Sequence, residues 1–192
     1  AGMIDPPREE VRDAVHIAKK AGIRAVMITG DNPITARAIA RQLGMGERAV
    51  TGRDVDAMTE EELKEHVENI DIIARASPTN KLQILKAIQE NRHFASMTGD
   101  GVNDAPALKQ ADVGVAMGLR GTDAAREASG LVLLDDNYAT IVSAIEEGRR
   151  IFDNIRKFVN YLLTCNVGEV LTVLCGVIWG LQPLTAIMVL WV

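Results

Sequence analysis

One stretch constrains this chain more than any other. From Phe158 to Leu181 it reads FVNYLLTCNVGEVLTVLCGVIWGL, 24 residues with no Lys or Arg and a single acid, Glu169. As a helix the run reaches ~36 Å at ~1.5 Å per residue, and a bilayer core is ~30 Å thick, so it can cross one with some tilt. The competing reading, a buried core helix, loses because a domain of 157 residues rarely needs a helix apolar on every side. Its place near the C-terminus excludes a signal peptide. Arg149, Arg150, Arg156 and Lys157 crowd its N-terminal flank, and a basic flank faces the cytoplasm. An integral membrane protein with residues 1–157 on the cytoplasmic side is therefore expected. Pro183 is expected to end the helix. Leu184 to Val192 then opens a second apolar stretch too short to cross, so the chain reads as a fragment that stops mid-element.

The residues before Phe158 hold all 21 basic and 25 of the 26 acidic side chains. A formal net charge of −5 gives no reason to expect nucleic acid as a partner, because a phosphate backbone rewards a basic face. With 47% apolar and 24% charged residues, disorder is excluded. Cys165 and Cys175 both lie in the apolar run, ~15 Å apart along a helix axis. That is beyond the ~7 Å a disulfide tolerates, so they read as plain apolar side chains.

Between Ala1 and Asp136, short β-rich runs alternate with amphipathic stretches. Arg24 to Thr29, Ile72 to Ala76, Ala95 to Thr98, Val113 to Met117 and Leu131 to Leu134 read as buried strands, apolar on both faces. Helices are expected over Arg8 to Ala21, Pro33 to Leu43, Thr59 to Asn69 (with Thr59 and Glu62 as a capping box), Pro78 to Asn91 and Asp104 to Gln110. Alternation of this kind predicts an α/β domain built on a parallel sheet, with ligands at the carboxyl ends of its strands. From Tyr138 the residues run on without proline to Leu181, which predicts one long helix; two helices hinged at Gly148 are the alternative. The expected organisation is a domain over 1–137, a stalk helix over 138–157, a transmembrane helix over 158–181 and the start of a truncated membrane helix over 182–192.

Two strand ends carry the same tripeptide: Thr29-Gly30-Asp31, and Thr98-Gly99-Asp100 followed by Gly101. Either alone reads most simply as a turn. Two at two strand ends point to a phosphoryl group, for which a hydroxyl and glycine amides are donors. Carboxylates beside such an anion imply a cation between them, and Asp100, Asn103 and Asp104 suggest Mg2+, which takes one or two carboxylates plus phosphate oxygens. Lys81, in the first turn of the helix after Pro78, adds positive charge at a positive dipole end. Together these are a phosphoryl-transfer set without a P-loop. Three other features read as bland. Gly44 to Ala49 fits GxGxxA but follows a helix, so it is a helix stop. Asp54-Val55-Asp56 has no apolar strand leading into it and reads as a solvated loop. His16, His66 and His93 read as surface residues. Within the apolar run, Asn166 and Glu169 share a helix face, and a carboxylate near mid-bilayer is expensive and usually functional. Their oxygens suit a hard cation such as Ca2+; a protonated Glu169 bonded to a neighbouring helix is the alternative.

The segments Gly2 to Arg8 (GMIDPPR), Met27 to Asp31 (MITGD) and Met97 to Lys109 (MTGDGVNDAPALK) resemble the P-type cation-transporting ATPases. Asn166-Val167-Gly168-Glu169 is similar to the fifth membrane helix of their calcium-pump branch, and the similarity covers essentially the whole chain. The resemblance implies a phosphorylation domain of the haloacid dehalogenase-like fold, followed by that membrane helix and the start of the sixth. It implies that Asp100 ligates Mg2+. Thr29, Gly30, Asp31, Arg75, Lys81 and Asn103 would contact the phosphate end of ATP or a phosphorylated aspartate, with Thr29, Asp31, Lys81 and Asp104 serving catalysis. Asn166 and Glu169 would bind the transported ion, Ca2+ first and Mn2+ next. The implied partners are ATP, the ion, the bilayer and the remaining domains of the same pump. The family's nucleophile belongs to an Asp-Lys-Thr-Gly motif, which this sequence lacks, so the chain alone is expected to be inactive. Two alternatives are a membrane-anchored phosphatase using Asp54 or Asp5, and a non-catalytic chain that regulates a full-length pump.

Overall fold

The computed structural model describes residues 9–180. Helices and strands alternate as α1 (Glu9–Lys20), β1 (Met27–Ile28), α2 (Pro33–Leu43), β2 (Ala49–Thr51), α3 (Gly52–Ala57), α4 (Glu60–His66), β3 (Ile72–Ala74), α5 (Pro78–Glu90), β4 (Ser96–Gly99), α6 (Ala105–Gln110), β5 (Val113–Met117), α7 (Asp123–Ala128), β6 (Leu131–Leu133) and α8 (Tyr138–Ile178). Short 3-10 turns over Val67–Asn69 and Val102–Asp104 precede β3 and α6. The expectations for Gly2 to Arg8, Asp5, Pro183 and residues 182–192 lie outside the described residues.

All strand pairing is parallel, as expected, but it falls into two three-stranded sheets, β1-β3-β2 and β4-β5-β6. In the first, Ile73 of β3 pairs with Ile28 and Val50; in the second, Val115 of β5 pairs with Thr98 and Leu131. Only the two middle strands meet the expectation of burial on both faces: Ile72, Ile73 and Ala74 are fully buried, and so is the centre of β5. β1, β2, β4 and β6 flank them and are partly open, because an outer strand has a neighbour on one side only. Leu131 and Val132 of β6 are exposed.

Helix ends follow the sequence signals. Asn32 accepts from the Ile34 amide at 3.0 Å to start α2, and Gly44 closes it with its amide on the carbonyls of Ala40 and Arg41. This confirms Gly44 as a stop rather than part of a dinucleotide loop. Thr59 and Glu62 form the expected reciprocal box, at 3.2 and 2.9 Å. The Thr59 amide, and after it the hydroxyl, hold the Glu62 carboxyl below its ordinary value. α2 and α5 each bury one stripe: Ala36, Ala40 and Leu43 from α2, and Ile84, Leu85 and Ala87 from α5. Val55, Leu63, Val67, Ile70, Ile73 and Ile84 form the largest apolar cluster.

Two elements differ from the sequence reading around residues 49–57. A strand, β2, leads directly into α3, so Asp54 and Asp56 lie on a helix and not in a solvated loop. β2 escapes a pattern search because it has only three residues. Asp54 closes a capping box with Thr51, while Asp56 accepts from the amide of the buried Asn80 at 2.6 Å.

The chain divides into two compact units between Ser143 and Ala144. In the first, Val142 packs with Ala14 and Ala18. In the second, every residue from Glu146 to Leu174 is exposed, including Phe158, Leu163 and Val170. α8 itself is continuous through Gly148, without the alternative hinge. It is long and apolar enough to cross a membrane, and none of its most apolar window is buried.

Candidate functional site

The site begins with two chemically identical strand ends that the fold finishes differently. After β1 the turn closes on itself: the Thr29 hydroxyl oxygen accepts from the Asp31 amide at 3.1 Å. The amides of Arg75 and Ala76, just past β3, donate to the carbonyls of Asp31 and Thr29, each at 3.0 Å. Arg75 adopts φ +49°, a left-handed backbone that costs a non-glycine residue ~1 kcal/mol or more. Gly30, Asp31 and the Arg75 side chain face solvent, and Thr29 is half-buried.

After β4 the turn is built around a buried carboxylate. Asp104 is 5% exposed. Its Oδ2 accepts from the amides of Asp100 at 3.2 Å and Gly101 at 3.1 Å, and its Oδ1 meets the Lys81 ammonium. A buried carboxylate is tolerable only when paired and hydrogen-bonded, and this one has both kinds of partner. The packing is close: a Cβ on Gly99 would lie 2.5 Å from the Asp104 Cβ, whereas one on Gly30 would meet nothing. Lys81 reaches Asp104 because the Ser77 cap and Pro78 start α5 four residues earlier, directly after the β3 end that holds Thr29 and Asp31. The carbonyl of Asp100 accepts from the Thr122 amide at 2.8 Å, while the Asp100 and Asn103 side chains stay exposed.

The structure thus brings Thr29, Asp31 and Arg75 into one hydrogen-bonded cluster and Lys81, Asp100 and Asp104 into another, with the start of α5 linking them. Sequence reasoning missed the Asp100–Thr122 contact, and with it Arg126 and Asp136, which hold the loop before Thr122. Contacts between side chains and loop amides far apart in sequence leave no spacing signature. Asp54 is exposed, and its Oδ2 accepts from the Thr51 amide at 2.7 Å and the Thr51 hydroxyl at 2.8 Å, which places it in a helix cap. The three histidines are exposed, as expected.

Among the described residues no three His, Cys, Asp or Glu side chains converge on a metal. Mg2+ does not require such a cage, because it keeps waters and phosphate oxygens beside one or two carboxylates. The exposed oxygens of Asp100 and Asn103, next to a turn whose amides are already ordered, fit that donor set.

On α8, Asn166 and Glu169 are three residues apart on one face and exposed within the second unit. The hydroxyls of Thr164 and Thr172 donate back to the carbonyls of Asn160 and Gly168 at 2.8 and 2.7 Å. Cys165 and Cys175 are unpaired.

Residues 2–112 match the family model of the haloacid dehalogenase-like hydrolases. The chain belongs to that family. Over its whole length this haloacid dehalogenase-like chain is also 55% identical to a calcium-transporting ATPase of Bacillus subtilis, of which it covers 22%. It is 44% identical, over 99% of its length, to a sodium/potassium exporting P-type ATPase of Schizosaccharomyces pombe, covering 20% of that protein. Among solved structures it is similar to a zinc-transporting PIB-type ATPase in its E2.Pi state, with a TM-score of 0.69 and 29% identity, over 97% of this chain and 26% of the other. The chain therefore spans about a fifth of the curated relatives it matches.

Proposed function

We propose that this chain is part of an ATP-driven cation pump, contributing the phosphate-handling half of its phosphorylation domain and one ion-binding membrane helix. The observation that carries the reading is the Lys81–Asp104–Asp100 arrangement at the end of β4, in a chain that also carries a membrane-length helix with an intramembrane carboxylate. Asp100 and Asn103 would hold Mg2+, which neutralises charge on a transferring phosphoryl group. Asp104 orders the Asp100–Gly101 amides, and Lys81 pairs with that buried carboxylate while adding positive charge at the same strand end. Thr29, Gly30 and Asp31 offer donors and a carboxylate from the other end, and Arg75 holds a cation in solvent for the nucleotide. The nucleophilic aspartate would come from elsewhere in a longer protein. The open edges of β1 and β4, among the described residues, are places where a further parallel strand could pair.

Residues 1–157 would lie on the cytoplasmic side, with 1–137 as the phosphorylation domain, 138–157 as stalk and 158–181 as the membrane span. Asn166 and Glu169 would bind the cation. Oxygen-only ligands favour Ca2+, in keeping with the Bacillus subtilis relative, and Mn2+ stands next. In the full-length pump, Asp100→Ala should abolish phosphoenzyme formed from ATP; normal phosphorylation in that variant would remove Asp100 from the Mg2+ site. Glu169→Gln should weaken the ion dependence of phosphorylation and leave the phosphate site intact, and unchanged ion dependence would take Glu169 off the ligand set. The chain alone should neither phosphorylate nor transport, and labelled Ca2+ entering vesicles that contain only this chain would defeat that expectation.

A further inference from the structure

The loop from Gly118 to Thr122 joins β5 to α7, and two side chains of opposite charge hold it. The Asp136 carboxylate accepts from the amides of Leu119 at 3.0 Å and Arg120 at 2.8 Å. The Arg126 guanidinium donates to the carbonyls of Gly118 at 3.0 Å and Gly121 at 2.8 Å, and pairs with Asp123. An anion collects the loop's amides while a cation collects its carbonyls, so successive peptide planes are fixed from both sides by charge-assisted bonds. The fit is tight, since a Cβ on Gly121 would stand 1.9 Å from the Met117 carbonyl oxygen. Asp136 itself adopts φ +49°, a conformation tolerated by Asp and Asn better than by most residues. Partial burial would raise its carboxyl, but the amides of Leu119, Arg120 and Gly118 outweigh this and hold it below its ordinary value.

The loop's last residue meets the site. The Thr122 amide donates to the Asp100 carbonyl at 2.8 Å, while the Asp100 amide is held by Asp104. Both peptide groups of Asp100 are thus pinned, one from Asp104 and one from this loop. We propose that Asp136 and Arg126 are positioning residues for Asp100: by fixing Thr122 they set the direction in which the Asp100 carboxylate leaves the chain, and so its reach for Mg2+. This rests on the reading that Asp100 ligates that ion. The same segment begins the last helix, since Asn137 accepts from the Ala139 amide at 2.9 Å and the Thr140 hydroxyl donates to Asp135 at 2.5 Å. The first turn of α8 and the Asp100 carbonyl are therefore joined through one loop.

The test is phosphoenzyme formation by the full-length pump at saturating ATP with free Mg2+ varied, and then at fixed Mg2+ with ATP varied. Asp136→Gly keeps the left-handed backbone free of strain but removes the carboxylate, and should raise half-saturating Mg2+ about tenfold with half-saturating ATP moved less than about twofold. Asp136→Asn, which keeps one acceptor oxygen, should restore part of the loss. Arg126→Lys, which cannot fork to two carbonyls, should match the glycine variant and carries the comparison if that variant does not fold. Unchanged Mg2+ dependence, or Mg2+ and ATP dependence rising together, would overturn the inference. Asp100→Ala, run alongside, separates the two failures. Normal phosphorylation there sinks the Mg2+ reading itself, whereas its abolition with an unaltered Asp136→Gly curve sinks only the positioning role.

Discussion

Thr29-Gly30-Asp31 and Thr98-Gly99-Asp100 are the same tripeptide at the ends of two parallel strands, yet they are different structures. The first is a local turn, closed by its own threonine and leaning on the backbone of β3, with both its glycine and its aspartate in water. The second draws on partners from a distance as well: the carboxylate four residues on that holds its amides is paired with a lysine from another helix, and its carbonyl is held by a loop beyond β5. A short motif states which groups are available. What surrounds it decides whether those groups are presented freely or locked in one orientation.

Three tests can break the contrast, and a fourth supplies a reference outside it. The largest effect belongs to Lys81→Met, which leaves the Asp104 carboxylate buried without its cation and should cost about 3 kcal/mol. Thermal unfolding of the full chain in detergent would show it, and an unchanged midpoint would mean the amides alone sustain Asp104. Next, Gly99→Ala should cost about 2 kcal/mol, because its Cβ must displace the Asp104 side chain, while Gly30→Ala in open space should stay within about 0.5 kcal/mol. At ~2–4 °C per kcal/mol for a chain of this size the pair separates cleanly, and equal shifts would erase the difference between the two ends.

A smaller effect comes from a carboxylate that belongs to neither tripeptide. Asp71 accepts from the Arg48 guanidinium at 2.8 Å and from its amide at 3.1 Å, and the Arg48 side chain, more than any other group, holds it below the ordinary value of 3.8. A lowered folded value means this stabilisation is present above pH 3.8 and is lost as pH falls through the folded value. Asp71→Asn should therefore cost about 1 kcal/mol at neutral pH and flatten the acid limb of the stability curve; a limb as steep as before would place the acid sensitivity elsewhere. Thr29→Val should have the smallest effect, about 0.5 kcal/mol for one exposed hydrogen bond. A cost as large as that of Gly99→Ala would show that the first turn is tied down by more than its own threonine.

Much of this was legible before any coordinates. Val113 to Met117 and Pro33 to Leu43 were readable to the residue, because an apolar run bounded by turns and a helix with Pro at its start and Gly at its end are local facts. The Thr59–Glu62 box was readable for the same reason. β2 was not, since three residues carry too little periodicity to separate from a loop, and α7 follows a loop whose shape depends on Arg126 and Asp136. Burial on both faces was assigned to five strands but belongs to β3 and β5, because a strand's place in its sheet is a matter of pairing and its own composition does not state it.

By itself the sequence determined that the chain has two regions of opposite solvent preference. A 24-residue apolar run without a base is long and apolar enough to cross a membrane, whereas the residues before it carry nearly all the charge. It also determined which groups could handle a phosphate, since hydroxyls, glycine amides and carboxylates are covalent facts. Tertiary structure alone decided that Lys81 answers Asp104 and that Thr122 holds the carbonyl of Asp100. The reason is distance along the chain. Partners some twenty residues apart meet only after two elements have packed, and the cost of burying a charge then selects the one arrangement that satisfies it.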